Sequence, residues 1–268
     1  MEMRACALRA LALRDPDLKA SEVAALHDAW LAGALTLDTQ AVIEEPEGAN
    51  RLPGRPDRPR LVAPRDLPPR TPGTGTGHAA LIHAVTHIEF NAINLALDAV
   101  WRFAGLPAAF YEDWLRVARE EALHFSLLQD HLRSLGYAYG DFEAHDGLWS
   151  MTAKTAHDPL ARMALVPRLL EARGLDATPP MQARLRRAGD ERAVQILDII
   201  LRDEVGHVEV GNRWFRELCT EQGLDPLLKF QALAREHGAP RLKPPFNLEA
   251  RRQAGFEPAE LQALEQPY

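Results

Sequence analysis

Cysteine is nearly missing from this chain. Cys6 and Cys219 are the only two in 268 residues, and no Cys-x-x-Cys occurs, which excludes a disulfide framework and a thiolate metal site. Long apolar runs are missing too, and none approaches the ~20 residues of a membrane-spanning helix. The opening Met1-Glu2-Met3-Arg4 leads into an Ala/Leu stretch broken by Arg9 and Arg14, not into a signal-peptide core. A soluble cytoplasmic protein is the expectation. An excess of positive charge is also lacking. The net charge is −7, which argues against holding nucleic acid as a main task. With 46% apolar and 26% charged residues, the composition is that of a globular protein with a full core.

Residues 3–13 and 21–33 read as short helices, the second with Ser21 as its N-cap. From Glu44 to Gly77 comes an arm with eight prolines, which excludes long helix and favours extended backbone. It carries Arg51, Arg55, Arg58, Arg60, Arg65 and Arg70, expected to pair with acids as the arm packs along the main domain. An anion- or RNA-binding arm is the other reading, but the interleaved aromatics that stack on bases are absent.

Four longer helical patterns follow. The first runs some 25 residues from Ala79 and sets Glu89 in an apolar stripe with Ile82, Val85, Ala92, Ile93 and Ala96. His87, Asn91, Asn94 and Asp98 fall on its other face, so His87 reads as a surface or inter-helix residue. The second, Ala108 to Leu135, sets Glu121 and His124 among Phe110, Trp114, Val117 and Leu128. An irregular segment, Tyr137 to His157, includes Tyr139-Gly140-Asp141 and His145-Asp146-Gly147-Leu148-Trp149 as turn and cap residues. Asp158-Pro159 then opens a helix carrying Glu171, expected to kink at Pro167 and to stop at Gly174. Thr178-Pro179-Pro180 is expected to open a shorter helix to Ala188. The last long helix, Glu191 to Gln222, carries Glu204 and His207, and short helices are expected near 226–237, 247–253 and 258–264.

A single Glu-x-x-His arises by chance in a chain with ten histidines. Here Glu121-x-x-His124 and Glu204-x-x-His207 each put both side chains on one helix face, alongside Glu89 and Glu171 on the other two helices. One Glu from each of two helices and Glu-x-x-His from each of the other two is the ligand set of di-iron carboxylate bundles. The 32 residues from 89 to 121 and the 33 from 171 to 204 each suit two half-helices and a turn. The irregular segment of about 20 residues can extend roughly 65 Å, enough to run the ~40 Å length of such a bundle. The expected architecture is all-α, a four-helix bundle with one long crossover over residues 78–222. Residues 1–77 form N-terminal helices and the wrapping arm, and 223–268 pack short helices on the bundle.

The phrases His87-Ile88-Glu89-Phe90-Asn91-Ala92-Ile93, Ala144-His145-Asp146-Gly147-Leu148-Trp149, Leu169-Leu170-Glu171-Ala172-Arg173-Gly174-Leu175 and Ile200-Leu201-Arg202-Asp203-Glu204-Val205-Gly206-His207 resemble the DUF455 family of the ferritin-like superfamily. The resemblance spans nearly the whole chain. It implies Glu89, Glu121, His124, Glu171, Glu204 and His207 as metal ligands. Four carboxylates and two imidazoles suit two iron ions or an iron/manganese pair. In several oxygen-activating relatives the acid before each Glu-x-x-His orients the histidine of the other motif. That assigns Asp203 to His124 and Glu120 to His207. Trp114, Phe110, Val208, Phe215, Gly206 and Gly211 are expected to leave an apolar space beside the metals. The resemblance implies an O2-dependent oxidoreductase, a hydroxylase or oxidase of an organic small molecule or a modified RNA. The expected partners are O2, an electron donor and a second copy of the chain, with no membrane. A ferroxidase or iron-handling protein, or a metal-binding scaffold without turnover, is the alternative.

Overall fold

In a computed structural model of the chain, residues 1–45, 52–68 and 75–264 are described. They form helices α1 (Met3–Ala12), α2 (Pro16–Leu31), α3 (Gly75–Arg102), α4 (Ala108–Ser134), α5 (Gly147–Lys154), α6 (Pro159–Leu165), α7 (Ala172–Arg187), α8 (Glu191–Glu221), α9 (Pro226–Glu236), α10 (Leu248–Gln253) and α11 (Pro258–Ala263), with a π-helical segment at Val166–Glu171 and one 3-10 turn at Pro64–Asp66. No strand occurs among the described residues, so the all-α expectation holds. None of their helices is long and apolar enough to cross a membrane. The chain groups into two units, Met1–Trp149 and Ser150–Tyr268. Their boundary falls in the stretch read as irregular, which holds α5.

In the first unit α3 is the central element. From Ile82 to Trp101 only Ile88 is exposed, and the helix packs on α1 and α4, with α2 also against α4. Its polar residues are therefore not a solvated face. Asp98 holds Arg102 through bonds of 2.7 and 2.9 Å. Asn94 accepts from Lys19 Nζ, a buried ammonium that also donates to the carbonyls of Leu11 and Gly54. Burial, and then the charge of Arg55, hold that lysine below its ordinary pKa. Arg4, 1% exposed, fastens α1 to the far end of α3 by donating to the carbonyls of Val100 and Trp101. Carbonyls of a helix C-terminus lack helical partners and favour a cation there.

The second helix begins at Pro16, not near Ser21. Asp15 is its N-cap, accepting from Leu18 N at 2.8 Å, and proline fills the first helical position. Ser21 lies inside the helix, donating to Leu18 O. The arm behaves as its composition dictates. Arg55 pairs with Asp146 at 2.6 Å, and Arg60 with Glu143; Arg51 and Arg70 lie outside the described residues. Gly140, at φ +106°, occupies backbone that disfavours other residues. A Cβ there would also meet Arg58 Cβ at 2.9 Å.

In the second unit α8 packs on α6, the π segment, α7, α9 and α10. Asp158 caps α6 as expected, and Asp190 caps α8. Gly174 does not end a helix, and Pro179 does not begin one; both lie inside α7. A glycine costs an interior helix only about 1 kcal/mol. Pro179 lacks the N–H that would reach Leu175 O, and Asn247 Nδ2 donates to that carbonyl instead, at 3.2 Å. The expected kink at Pro167 takes the form of the π segment, where the missing proline donor is absorbed by a wider turn.

Candidate metal centre

In the first unit Glu89 and Glu121 lie sixteen residues to either side of Gly105, the turn between α3 and α4. Packing of that helix pair brings them together. His124 Nδ1 is 3.3 Å from Glu89 Oε2 and 3.3 Å from Glu121 Oε2. One ligand atom from each of the three residues lies within 4.8 Å of the others, and all three are buried. Burial first, and then the charge of Glu121, push the Glu89 carboxyl well above its ordinary pKa, with His124 opposing. Two acids this close, away from water, strongly favour a proton or a cation between them.

The same unit buries an aromatic and histidine cluster built from residues expected in turns and on the surface. Tyr139 packs against Phe90 and Phe125, at centroid distances of 5.5 and 5.3 Å, and stacks on His83. His87 is buried, its Nδ1 2.8 Å from Tyr139 Oη and its Nε2 3.0 Å from Asn91 Nδ2. Burial, then the charges of His83 and Arg55, push the imidazole down to about 3, so it is neutral at physiological pH. Burial also raises the Tyr139 phenol. The signal was present in the Tyr139-Gly140 turn. Gly140 N donates to His83 Nε2 at 2.9 Å and so ties the loop to α3.

In the second unit Glu204 and His207 lie on the buried face of α8, with His207 Nδ1 3.9 Å from Glu204 Oε1. Glu171 is the buried last residue of the π segment. Gly211 does not line a space as expected. A Cβ built on it would lie 2.5 Å from Cβ and Cγ of Pro167, so the proline fills that position. Val208 packs with Ala172, Leu175 and Phe256, and Phe215 lies under the Arg168 guanidinium. Gly206 alone of the two glycines has nothing within 4 Å of a Cβ. Glu120 accepts from Arg116 at 3.1 Å and Asp203 from Arg202 at 2.8 Å.

A family model described as "Protein of unknown function (DUF455)" matches residues 12–262. An "Uncharacterized protein" of Haemophilus influenzae is 55% identical over 213 residues, covering 77% of this chain and 74% of that one. No solved structure matches.

Proposed function

The chain belongs to the DUF455 family, and for it we propose a di-iron carboxylate protein that uses O2 to hydroxylate or oxidise an organic substrate. In this reading α3, α4, the run from α6 through α7, and α8 are the four helices of a ferritin-like bundle. Glu89, Glu121, His124, Glu171, Glu204 and His207 hold two iron ions, or iron and manganese. Glu120 and Asp203 orient the two histidines.

The observation that carries the reading is the triad of Glu89, Glu121 and His124, whose ligand atoms already converge within 4.8 Å in a buried site. Hard oxygen donors with an imidazole fit a divalent first-row metal, and the cation would offset the burial cost of the paired acids. A reduced iron pair, if bound there, would supply electrons for activating O2. The chain's own contribution is enclosure and orientation. Glu89, Glu121 and His124 are all withdrawn from water. The neutral His87 fixes the Tyr139 phenol through its Nδ1. An organic small molecule or a modified RNA remains the substrate class, and an electron donor is required.

The test is to purify the protein without oxygen, measure its iron, and follow its absorption spectrum as O2 is admitted. About two irons per chain and an oxygen-dependent spectral change support the reading. Tens of irons per chain in a large particle favour iron handling instead, and no bound iron removes the proposal.

A further inference from the structure

Away from the metal ligands, α1 and α2 of the first unit border an open groove of about 430 Å³. Most of its lining is apolar, and Ala10, Leu26 and Leu35 lie buried along it. The α2 wall is a stripe at helical spacing: Leu18, Glu22, Ala25 and Ala29. Leu18 stands 47% exposed, a knob on that stripe. Ala25 and Ala29 carry only a methyl group each, so another helix can approach closely there.

The same groove collects the two charges of these helices that the chain itself leaves unpaired. Arg4 and Lys19 are buried against oxygen acceptors. Asp17 pairs with Arg133 at 2.8 Å, and Asp28 lies 3.9 Å from His27. Arg9 has no carboxylate partner among the described residues. Its Nη2 reaches Cys6 Sγ at 2.9 Å and Met1 Sδ at 3.8 Å, and sulfur is a weak acceptor. Glu22 has no cation beside it among the described residues and caps no helix. Arg9 lines the groove from α1 and Glu22 from α2. Either charge alone is ordinary on a surface. Opposite signs on the two walls of one apolar groove, beside a knob and a hole, make a face that is complementary to itself. That is the requirement for an interface around a twofold axis, where residue i meets j and j meets i.

We propose that this groove is the docking surface for a second copy of the chain. The α2 helices lie along each other, Leu18 entering beside the partner's Ala25 and Ala29. Arg9 meets the partner's Glu22 in both directions. Burial of the apolar stripe supplies affinity, and the two charge contacts fix the register. The proposal is independent of the metal reading, since none of the six metal residues lines the groove.

The experiment is sedimentation equilibrium of the full chain at low salt, where charge contacts are least screened. The wild type should be a dimer. Arg9→Glu and Glu22→Arg each set two like-charge contacts into the symmetric pair, and each should weaken it by at least about a hundredfold. Both positions are exposed, so the variants should keep the fold, as circular dichroism will show. Mixed together, the two monomeric variants should form a heterodimer, because both contacts then join opposite charges. The double variant Arg9→Glu/Glu22→Arg should dimerise as the wild type does. A monomeric wild type would overturn the assignment and leave the groove to a different partner. Folded single variants that still dimerise fully, or that stay monomeric when mixed, would overturn it as well.

Discussion

Gly206 and Gly211 stand five residues apart on α8, and the same substitution should act on them with opposite sign. A Cβ at Gly211 would lie 2.5 Å from both Cβ and Cγ of Pro167. Carbon atoms rest at about 3.5–4.0 Å, so the π segment must retreat by about 1 Å. Pro167 has no rotamer that swings its ring clear, and its backbone is held within the wide helical turn. Overpacking of this kind costs about 1–3 kcal/mol. Replacing a helical glycine by alanine returns about 0.5–1 kcal/mol. Gly211→Ala should therefore be destabilised by up to about 2 kcal/mol. At Gly206 a Cβ meets nothing within 4 Å, so Gly206→Ala should gain about 0.5–1 kcal/mol. Urea denaturation followed by circular dichroism, on metal-free protein, measures both midpoints. Equal midpoints for the two variants, or a more stable Gly211→Ala, would refute the claim that glycine is needed for the approach of Pro167 to α8.

The raised pKa of Glu89 means that the folded metal-free protein holds a proton the unfolded chain has released. Stability should then decline as pH climbs from the ordinary carboxylate value of about 4.3. Glu89→Gln should make that decline shallower, and an unchanged slope in pH-dependent melting would contradict it. Glu260 behaves oppositely. Burial, the largest single influence, would raise its pKa, but Arg168, the Glu257 backbone N–H and Arg216 together outweigh it and the net shift is downward, so its stabilisation is complete above the ordinary value and lost as pH falls. The stability gap between wild type and Glu260→Gln should shrink toward acid pH, and a constant gap would argue against the arginine pairing and the Glu257 hydrogen bond as its cause. Tyr139→Phe removes the contact with His87 and should cost about 1 kcal/mol, read from the shift in urea midpoint.

Local punctuation was legible where the partners are close in sequence. Asp158-Pro159 marks a helix start because the cap bond lies within two residues. Asp15-Pro16 carries the same signature, whereas the hydroxyl of Ser21, the expected cap, bonds within its own helix. Gly174, Pro179 and Pro180 resemble breaks because the support for α7 arrives from Asn247, more than 60 residues later. The convergence of Glu89, Glu121 and His124 could be read from carboxylates set inside apolar stripes and matched about one turn. Arg55 and Arg60 of the arm found acids, as the density of arginines suggested. Arg168 and Arg251 gave no such signal. Arg168 sits in a π turn where the 3.6-residue period fails, and the acids that hold both arginines come from distant stretches of sequence.

The central claim is that the six residues bind two metal ions, and metal stoichiometry tests it most directly. Wild type and Glu171→Ala, each purified without oxygen and loaded with ferrous iron, should be compared by metal analysis after removal of free ions. The account predicts about two irons per chain for the wild type and about one or fewer for Glu171→Ala, with both proteins folded by circular dichroism. Full iron occupancy in Glu171→Ala would contradict it.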